Sequence, residues 1–188
     1  GDEEWPHLPF ASFANADKAG AEPPMMLWAI GPARLDDVGE RSAALVGTRA
    51  ATSYGEHVAA DLAAGLVESD VAVVSGAAYG IDGAAHRAAL AGEGVTVAVL
   101  AGGIDVPYPS GHSSLLHRIA RDGLILSEYP PGVRPARYRF LTRNRLVAAI
   151  SRATVVVEAG LRSGAANTAS WASDLGRVVC AVPGPVTS

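Results

Sequence analysis

Short apolar runs recur from Arg41 onward, at Ala43–Val46, Val71–Val74, Val95–Leu100, Leu124–Leu126, Thr154–Val157 and Val178–Val182. They are rich in Val and show no alternation of apolar and polar positions, which predicts strands buried on both faces of a parallel sheet. Helix-length segments separate them. The first opens on Ser53-x-x-Glu56, the pattern of a capping box, and then places Val58, Leu62 and Leu66 at i, i+4 and i+8. Its many alanines allow a helix to lie close to the sheet. Further helices are predicted over Gly83–Ala91, Ser113–Arg121, Arg143–Ile150 and Ala165–Leu175. Strand–helix–strand alternation of this length predicts an α/β fold: a doubly wound, mostly parallel sheet with helices on both faces and right-handed crossovers.

Residues 1–40 read differently. They hold Pro6, Pro9, Pro23, Pro24 and Pro32, two of the three Trp, and no sustained period. They are expected to form an irregular arm packed on the core, with Met25–Ile30 supplying one short strand. Residues 41–188 are expected to be the domain proper. A length of 188 residues suits one domain with a sizeable core. The single Cys excludes a disulfide framework and points to a reducing, cytoplasmic setting. No apolar run is long enough for a membrane span, and the start is acidic, unlike a signal peptide.

The net charge of −4 argues against indiscriminate coating of nucleic acid. Its distribution changes that picture. Between Arg134 and Arg162 lie seven of the fifteen cations and one of the nineteen acids, Glu158, a local net of +6. The remaining residues carry a net of −10. All but one of the cations are Arg, whose planar fork fits phosphate, although codon usage in a GC-rich genome also favours Arg.

In a doubly wound sheet, ligands bind beyond the carboxyl ends of the strands. The first exit reads Gly47-Thr48-Arg49, and the second runs from Ser75 and Gly76 to Gly80 and Asp82. Later exits carry Gly102-Gly103, Ser127-Glu128, and Glu158 followed by Ser163, Gly164 and Thr168. Gly admits close backbone approach and helix N-termini offer free N–H groups, so together these exits suit an anion. Plainer roles compete at each position. Asp82 can cap the following helix, Thr48 can close a turn, and Glu158 can balance Arg. His86 is expected to pack, and Cys180 to be a buried, inert thiol. No His, Cys or carboxylate set has metal spacing, so no metal is expected. Arg49 stands where a dinucleotide fingerprint needs its second Gly, and no phosphate-loop Lys motif is present, which disfavours a nucleotide cofactor.

The segment from Arg137 to Arg145 joins Arg137, Arg143 and Arg145 to Tyr138, Phe140 and Asn144. Cations beside stacking rings suit single-stranded nucleic acid. A solvated loop anchored by Phe140 fits the composition equally well.

Several segments resemble the DNA-processing protein A (DprA/Smf) family in order. They include Val46-Gly47-Thr48-Arg49, Ser75-Gly76-x-Ala78-x-Gly80-Ile81-Asp82, and Ala101-Gly102-Gly103 with Tyr108-Pro109. Ser127-Glu128-Tyr129-Pro130-Pro131-Gly132, Phe140-x-x-Arg143-Asn144-Arg145, Ser163-Gly164 with Thr168, and Val182-Pro183-Gly184 continue the match. The resemblance implies an extended Rossmann-like domain that binds single-stranded DNA without cofactor or catalysis. It implies protection of incoming DNA in natural transformation, loading of the recombinase RecA, and a homodimer. It maps DNA contacts to Arg49, Arg137, Phe140, Arg143, Asn144 and Arg145, and the strand exits complete the candidate phosphate-binding set with Gly47, Thr48, Ser75, Gly76, Gly80, Asp82, Ser163, Gly164 and Thr168. Departures are Leu141 in place of Pro, Arg137 in place of Lys, and Ala165-Ala166-Asn167 before Thr168. Family members continue past the position of Ser188, often into a winged-helix module, so the chain reads as a fragment. The alternatives are a phosphoribohydrolase-like nucleotide enzyme, which should carry a catalytic Glu after its Gly-rich loop, and a nucleotide-sensing module.

Overall fold

The computed structural model describes residues 2–160 and 163–184. Among them, seven strands form one sheet: β1 (Trp28–Ile30), β2 (Ser42–Gly47), β3 (Ala72–Ser75), β4 (Thr96–Leu100), β5 (Leu124–Ser127), β6 (Ala153–Glu158) and β7 (Val178–Ala181). The spatial order is β1-β5-β4-β3-β2-β6-β7, with β1 antiparallel and all other pairs parallel. The sheet grows from β2 to β5 in one direction and then restarts on the other side of β2 with β6. The strand order therefore reverses beside β2, where doubly wound sheets open a crevice.

Alternation along each strand sends residues to two packed layers. Ala44, Val46, Val74, Val97 and Val99 face the layer that holds α6 (Arg137–Ile150) and α7 (Gly164–Asp174). Leu45, Val73 and Ala98 face α3 (Ser53–Glu68), α4 (Ile81–Ala91) and α5 (Ser113–Asp122). The deeply buried row of α3 is Gly55, Ala59 and Ala63, and the larger Val58, Leu62 and Leu66 flank it. Small residues on that row let α3 approach its neighbours closely.

Three expectations are corrected. The arm is not irregular: beside the expected short strand, β1, it contains α1 (His7–Ala11) and α2 (Leu35–Glu40). These helices are too short to display a period in sequence, and burial of Phe10, Phe13, Leu35 and Val38 in the α6/α7 layer holds them. The cap of α3 is Thr52, whose hydroxyl oxygen accepts from Gly55 N at 3.1 Å, not Ser53 with Glu56. The last strand is not buried on both faces. β7 closes the sheet edge with Val178 60% exposed, and Cys180 is an exposed free thiol.

His86 is buried and does pack, as a polar tie between α4 and β4. Its Nδ1 lies 2.7 Å from Thr96 Oγ1, and that hydroxyl donates to the Val73 carbonyl at 2.9 Å. The hydroxyl hydrogen is thereby committed, so Nδ1–H is the donor to Thr96 and Nε2, buried without a partner, is unprotonated. Burial first, then the positive neighbours, lowers the His86 pKa to about 3. The unfolded ring takes up a proton near pH 6.5 while the folded one does not, so stability is lost as pH falls from about 6.5 toward 3. We expect the difference in unfolding free energy between the wild type and His86→Gln to shrink by about 1 kcal/mol per pH unit between roughly pH 6.5 and 5. Urea titrations of both proteins at stepped pH measure it, and a constant difference would exclude His86 as the source.

Candidate functional site

The exits of β2 and β3 and the starts of α6 and α7 enclose a cavity of about 840 Å³. It is built from the loops upward. A bulge in the β2–β6 pairing sets Glu158 opposite Gly47, and the Glu158 carbonyl then accepts from Thr48 N at 2.7 Å. The Glu158 carboxylate turns to the start of α3, where Oε2 accepts from Thr52 N at 3.0 Å and Thr52 Oγ1 at 3.1 Å. Glu158 thus holds the Thr48–Thr52 loop from both ends. On the other side, Gly80 lies under the loop with φ +72°, and a Cβ there would fall 2.3 Å from the Thr48 carbonyl oxygen. Only glycine fits that position.

Asp82 does not cap α4. Its Oδ2 accepts from Gly76 N at 3.1 Å and Ala78 N at 3.2 Å, folding the Ser75–Gly80 loop back over the first turn of the helix. Burial pushes the Asp82 carboxyl up, opposed by Arg143 and by these N–H donors. The Gly76 and Ala78 amides, read from sequence as phosphate donors, are already engaged. Ser75 is fully buried, and its hydroxyl donates to the Leu45 carbonyl at 2.6 Å.

Arg143 lies against this loop. A Cβ on Gly76 would meet its Nη1 at 1.8 Å, so glycine makes the room the guanidinium occupies. Arg143 is 5% exposed, its Nε is buried without a hydrogen-bond partner, and it forms no ion pair among the described residues. Burial lowers its pKa to about 10, against the pull of Asp82 and helped by the like charge of Arg49, so it is charged at neutral pH. Arg49 is exposed at the cavity mouth with its guanidinium 5.0 Å above the Phe140 ring, and Arg137 adds a third cation, also exposed.

The Arg143-Asn144-Arg145 run does not act as one patch. Residues on α6 are about 100° apart, so three consecutive side chains point in three directions. Arg143 faces the cavity. Asn144 Nδ2 donates to the Gly164 carbonyl at 3.2 Å and to Asn167 Oδ1 at 3.1 Å, joining α6 to the start of α7. Arg145 turns toward the arm, where it pairs with Glu128 at 2.6 Å and lies over Phe13. It does not line the cavity. The wider basic block disperses likewise: Arg139 lies over Tyr129 and Tyr138, and Arg152 stands at the opposite edge of the sheet, at the start of β6. Arg162 is outside the described residues.

The remaining wall is the N-terminus of α7. Ser163 Oγ accepts from Ala166 N at 3.2 Å as its cap, Thr168 donates to the Gly164 carbonyl at 3.2 Å, and Gly164 opens to the cavity. The segment Arg137–Arg145 is itself helix from its first residue, with Phe140 half-buried on the cavity wall and Tyr138 turned out to solvent. Tyr79 and Tyr108 line a cleft beside Arg49, and the strand-exit pattern does not single them out as site residues. The pair Tyr108-Pro109, following the Gly102-Gly103 exit, is the one sequence feature that points there. Among the described residues no group of three or more His, Cys, Asp or Glu could hold a metal, and no helix is long and apolar enough to cross a membrane.

Fold and site together define an open α/β domain with an arginine-lined cavity at the switch point of its sheet. A family model described as DNA recombination-mediator protein A matches residues 1–188, and the chain belongs to that family. The DprA of Mycobacterium tuberculosis is 75% identical over 191 residues, covering 100% of this chain and 49% of its own length. The chain spans about half the length of that curated relative. The DprA structure from Streptococcus pneumoniae superposes with a TM-score of 0.86 at 36% identity, covering 98% of this chain and 62% of that one. DNA processing protein A of Helicobacter pylori, solved to show its single-stranded DNA binding mode, gives 0.82 at 30% identity over 94% and 79%. A molybdenum cofactor binding protein of Rippkaea orientalis, 16% identical with a TM-score of 0.58 over 78% of each chain, shares the fold alone.

The Gly80 cradle yields a sharp expectation. Gly80→Ala forces a Cβ into two backbone carbonyls at a positive φ and should lower stability by about 2–4 kcal/mol. Gly76→Ala meets only the far end of Arg143 and should cost far less. Chemical denaturation of the two variants compares them, and equal losses would exclude the cradle as described.

Proposed function

We propose that the protein binds single-stranded DNA in this cavity and acts as a recombination mediator. The observation that carries the reading is the buried, unpaired guanidinium of Arg143 at the floor, with exposed Arg49 and Arg137 at the rim. Asp82 lies near this cation but accepts from loop amides rather than from the guanidinium, so the Arg143 fork is left without a hydrogen-bond acceptor, which a phosphate oxygen supplies. The start of α7 adds its positive dipole end on the opposite wall. The single-stranded DNA binding mode of the Helicobacter pylori relative supports the same ligand class.

The reading assigns binding and no covalent chemistry or cofactor. The acid beside the cavity, Asp82, is spent on loop amides, and Glu158 on the start of α3, so neither is free to act on a substrate. Family membership extends the proposal to protection of incoming DNA in natural transformation, delivery of the strand to RecA in the cytoplasm, and a homodimer. The acidic remainder of the domain repels DNA elsewhere and confines it to this cavity.

Titration of fluorescent oligo-dT at two salt concentrations tests the cavity. Three phosphate contacts predict that the logarithm of the association constant falls against that of salt with a slope of about −2, at roughly −0.7 per contact. Arg143→Ala should weaken binding most, by about 50-fold or more, because the buried fork is lost with its phosphate. Gly76→Ala should weaken it in the same direction while the fold persists. A flat salt dependence, or full affinity in Arg143→Ala, would overturn the proposal.

A further inference from the structure

We infer that Tyr108 and Tyr79 form a shelf on which unpaired bases stack as the strand leaves the phosphate cavity past Arg49. This rests on the single-strand reading and adds to it a surface for the bases themselves. A shallow cleft of about 30 Å³ adjoins the cavity, sharing Arg49, Gly76, Ala78 and Phe140 with it and adding Tyr79 and Pro109 beside Tyr108. Tyr108 and Phe140 border both spaces, and Tyr79 enters only the cleft.

Both rings are exposed, Tyr108 by 43% and Tyr79 by 45%, yet neither is loose. The Tyr108 ring packs at 5.4 Å from the Phe140 ring, and Phe140 carries Arg49 at 5.0 Å on its face. One aromatic pair thereby joins the shelf to the cation that would hold the neighbouring phosphate. Tyr79 is fixed from two sides. Its ring stands edge-on to the buried His112 at 4.7 Å, and its hydroxyl oxygen accepts from Gly111 N at 3.2 Å. Gly111 admits that approach because a Cβ would lie 2.5 Å from the phenol oxygen. His112 is itself anchored, with Nδ1 3.0 Å from the Ala77 carbonyl.

The backbone reinforces the same placement. Ala77, buried between the Asp82-bound Gly76 and Ala78, adopts φ +60°, a conformation an L residue reaches only under local constraint. That turn carries Tyr79 outward. The two rings come from separate strand exits, after β3 and after β4, and meet at one cleft. Rigid aromatics left half in water give up hydrophobic burial, and a flat π-face recovers it. Stacking needs no base identity, so the shelf accepts any unpaired base and excludes a closed duplex, whose bases present no free face. Tyr138, more exposed at 62%, lies outside both cavities and lacks such support beyond Arg139.

The test compares oligo-dT with an abasic oligomer of equal length, which keeps the phosphates and lacks the bases. Tyr108→Ala and Tyr79→Ala should each weaken oligo-dT binding about 5- to 10-fold and leave abasic binding within about twofold of the wild type. Tyr108→Phe should restore oligo-dT affinity and Tyr79→Phe, which keeps the ring on His112 and loses only the Gly111 bond, should restore most of it, and 2-aminopurine placed in the strand should lose its quenching on binding in the Ala variants only. Unchanged oligo-dT affinity in the Ala variants, or equal losses on both oligomers, would overturn the shelf while leaving the phosphate cavity standing. Failure of the wild type to bind either oligomer would remove the single-strand reading and the shelf with it.

Discussion

The Asp82 carboxylate is the constraint on which the site depends. It is buried in the first turn of α4, and it satisfies two loop amides while facing the Arg143 guanidinium. Leaving a buried polar group unsatisfied costs about 1–3 kcal/mol, and the two loop amides meet the demand of the Asp82 oxygen. The loop from Ser75 to Gly80 meets that demand by folding back over the first turn of α4. It sets Gly76 beneath Arg143, turns Ala77 to a positive φ, and brings Gly80 under the Thr48–Arg49 backbone. A single buried acidic side chain thus positions the floor, one wall and the neighbouring loop of the cavity.

α6 carries that order across the molecule. From Arg143 to Ile150 every residue is buried, so this half of the helix has no solvent face. Its polar side chains point to three different places: Arg143 to the cavity, Asn144 to the start of α7, and Arg145 to Glu128 beside the arm. The arm is therefore more than a lead-in. Phe13 packs in the same core layer as Leu146 and Ile150 and lies beneath Arg145, so ordering residues 1–40 steadies the helix that presents Arg143. Asn167, a departure from the family pattern, serves the same end by accepting from Asn144.

Much of the fold was legible in the chain because buried parallel strands leave continuous apolar runs, and six such runs became six parallel strands. What escaped had physical reasons. The cap of α3 shifted by one residue because Glu158, distant in sequence, chose Thr52 as its partner. Cys180 looked buried because an edge strand with one side uncovered carries the same apolar residues as a central one. Within the site, Arg49, Arg143, Phe140 and the α7 N-terminus were marked by spacing and by strand exits. The helix expected over Arg143–Ile150 already sends Arg143 and Arg145 apart, but which of them faces the cavity depends on Glu128 and Phe13, distant in sequence, which draw Arg145 toward the arm. Tyr79 and Tyr108 escaped because exposed aromatics are invisible to patterns built on burial.

The charge distribution gains its meaning only in three dimensions. A stretch of net +6 suggested one basic track, but pairing with Glu128, stacking on Tyr129 and Tyr138, and placement at the far sheet edge disperse Arg145, Arg139 and Arg152. Two of the seven, Arg137 and Arg143, join Arg49 at the cavity. Fewer cations than the count suggested face the ligand, so affinity cannot rest on charge alone. Long-range attraction would be modest and partly cancelled by the acidic body. Selectivity then falls to contacts that charge does not supply: a buried fork that demands a phosphate oxygen at one point, and rings that reward a base free of its partner.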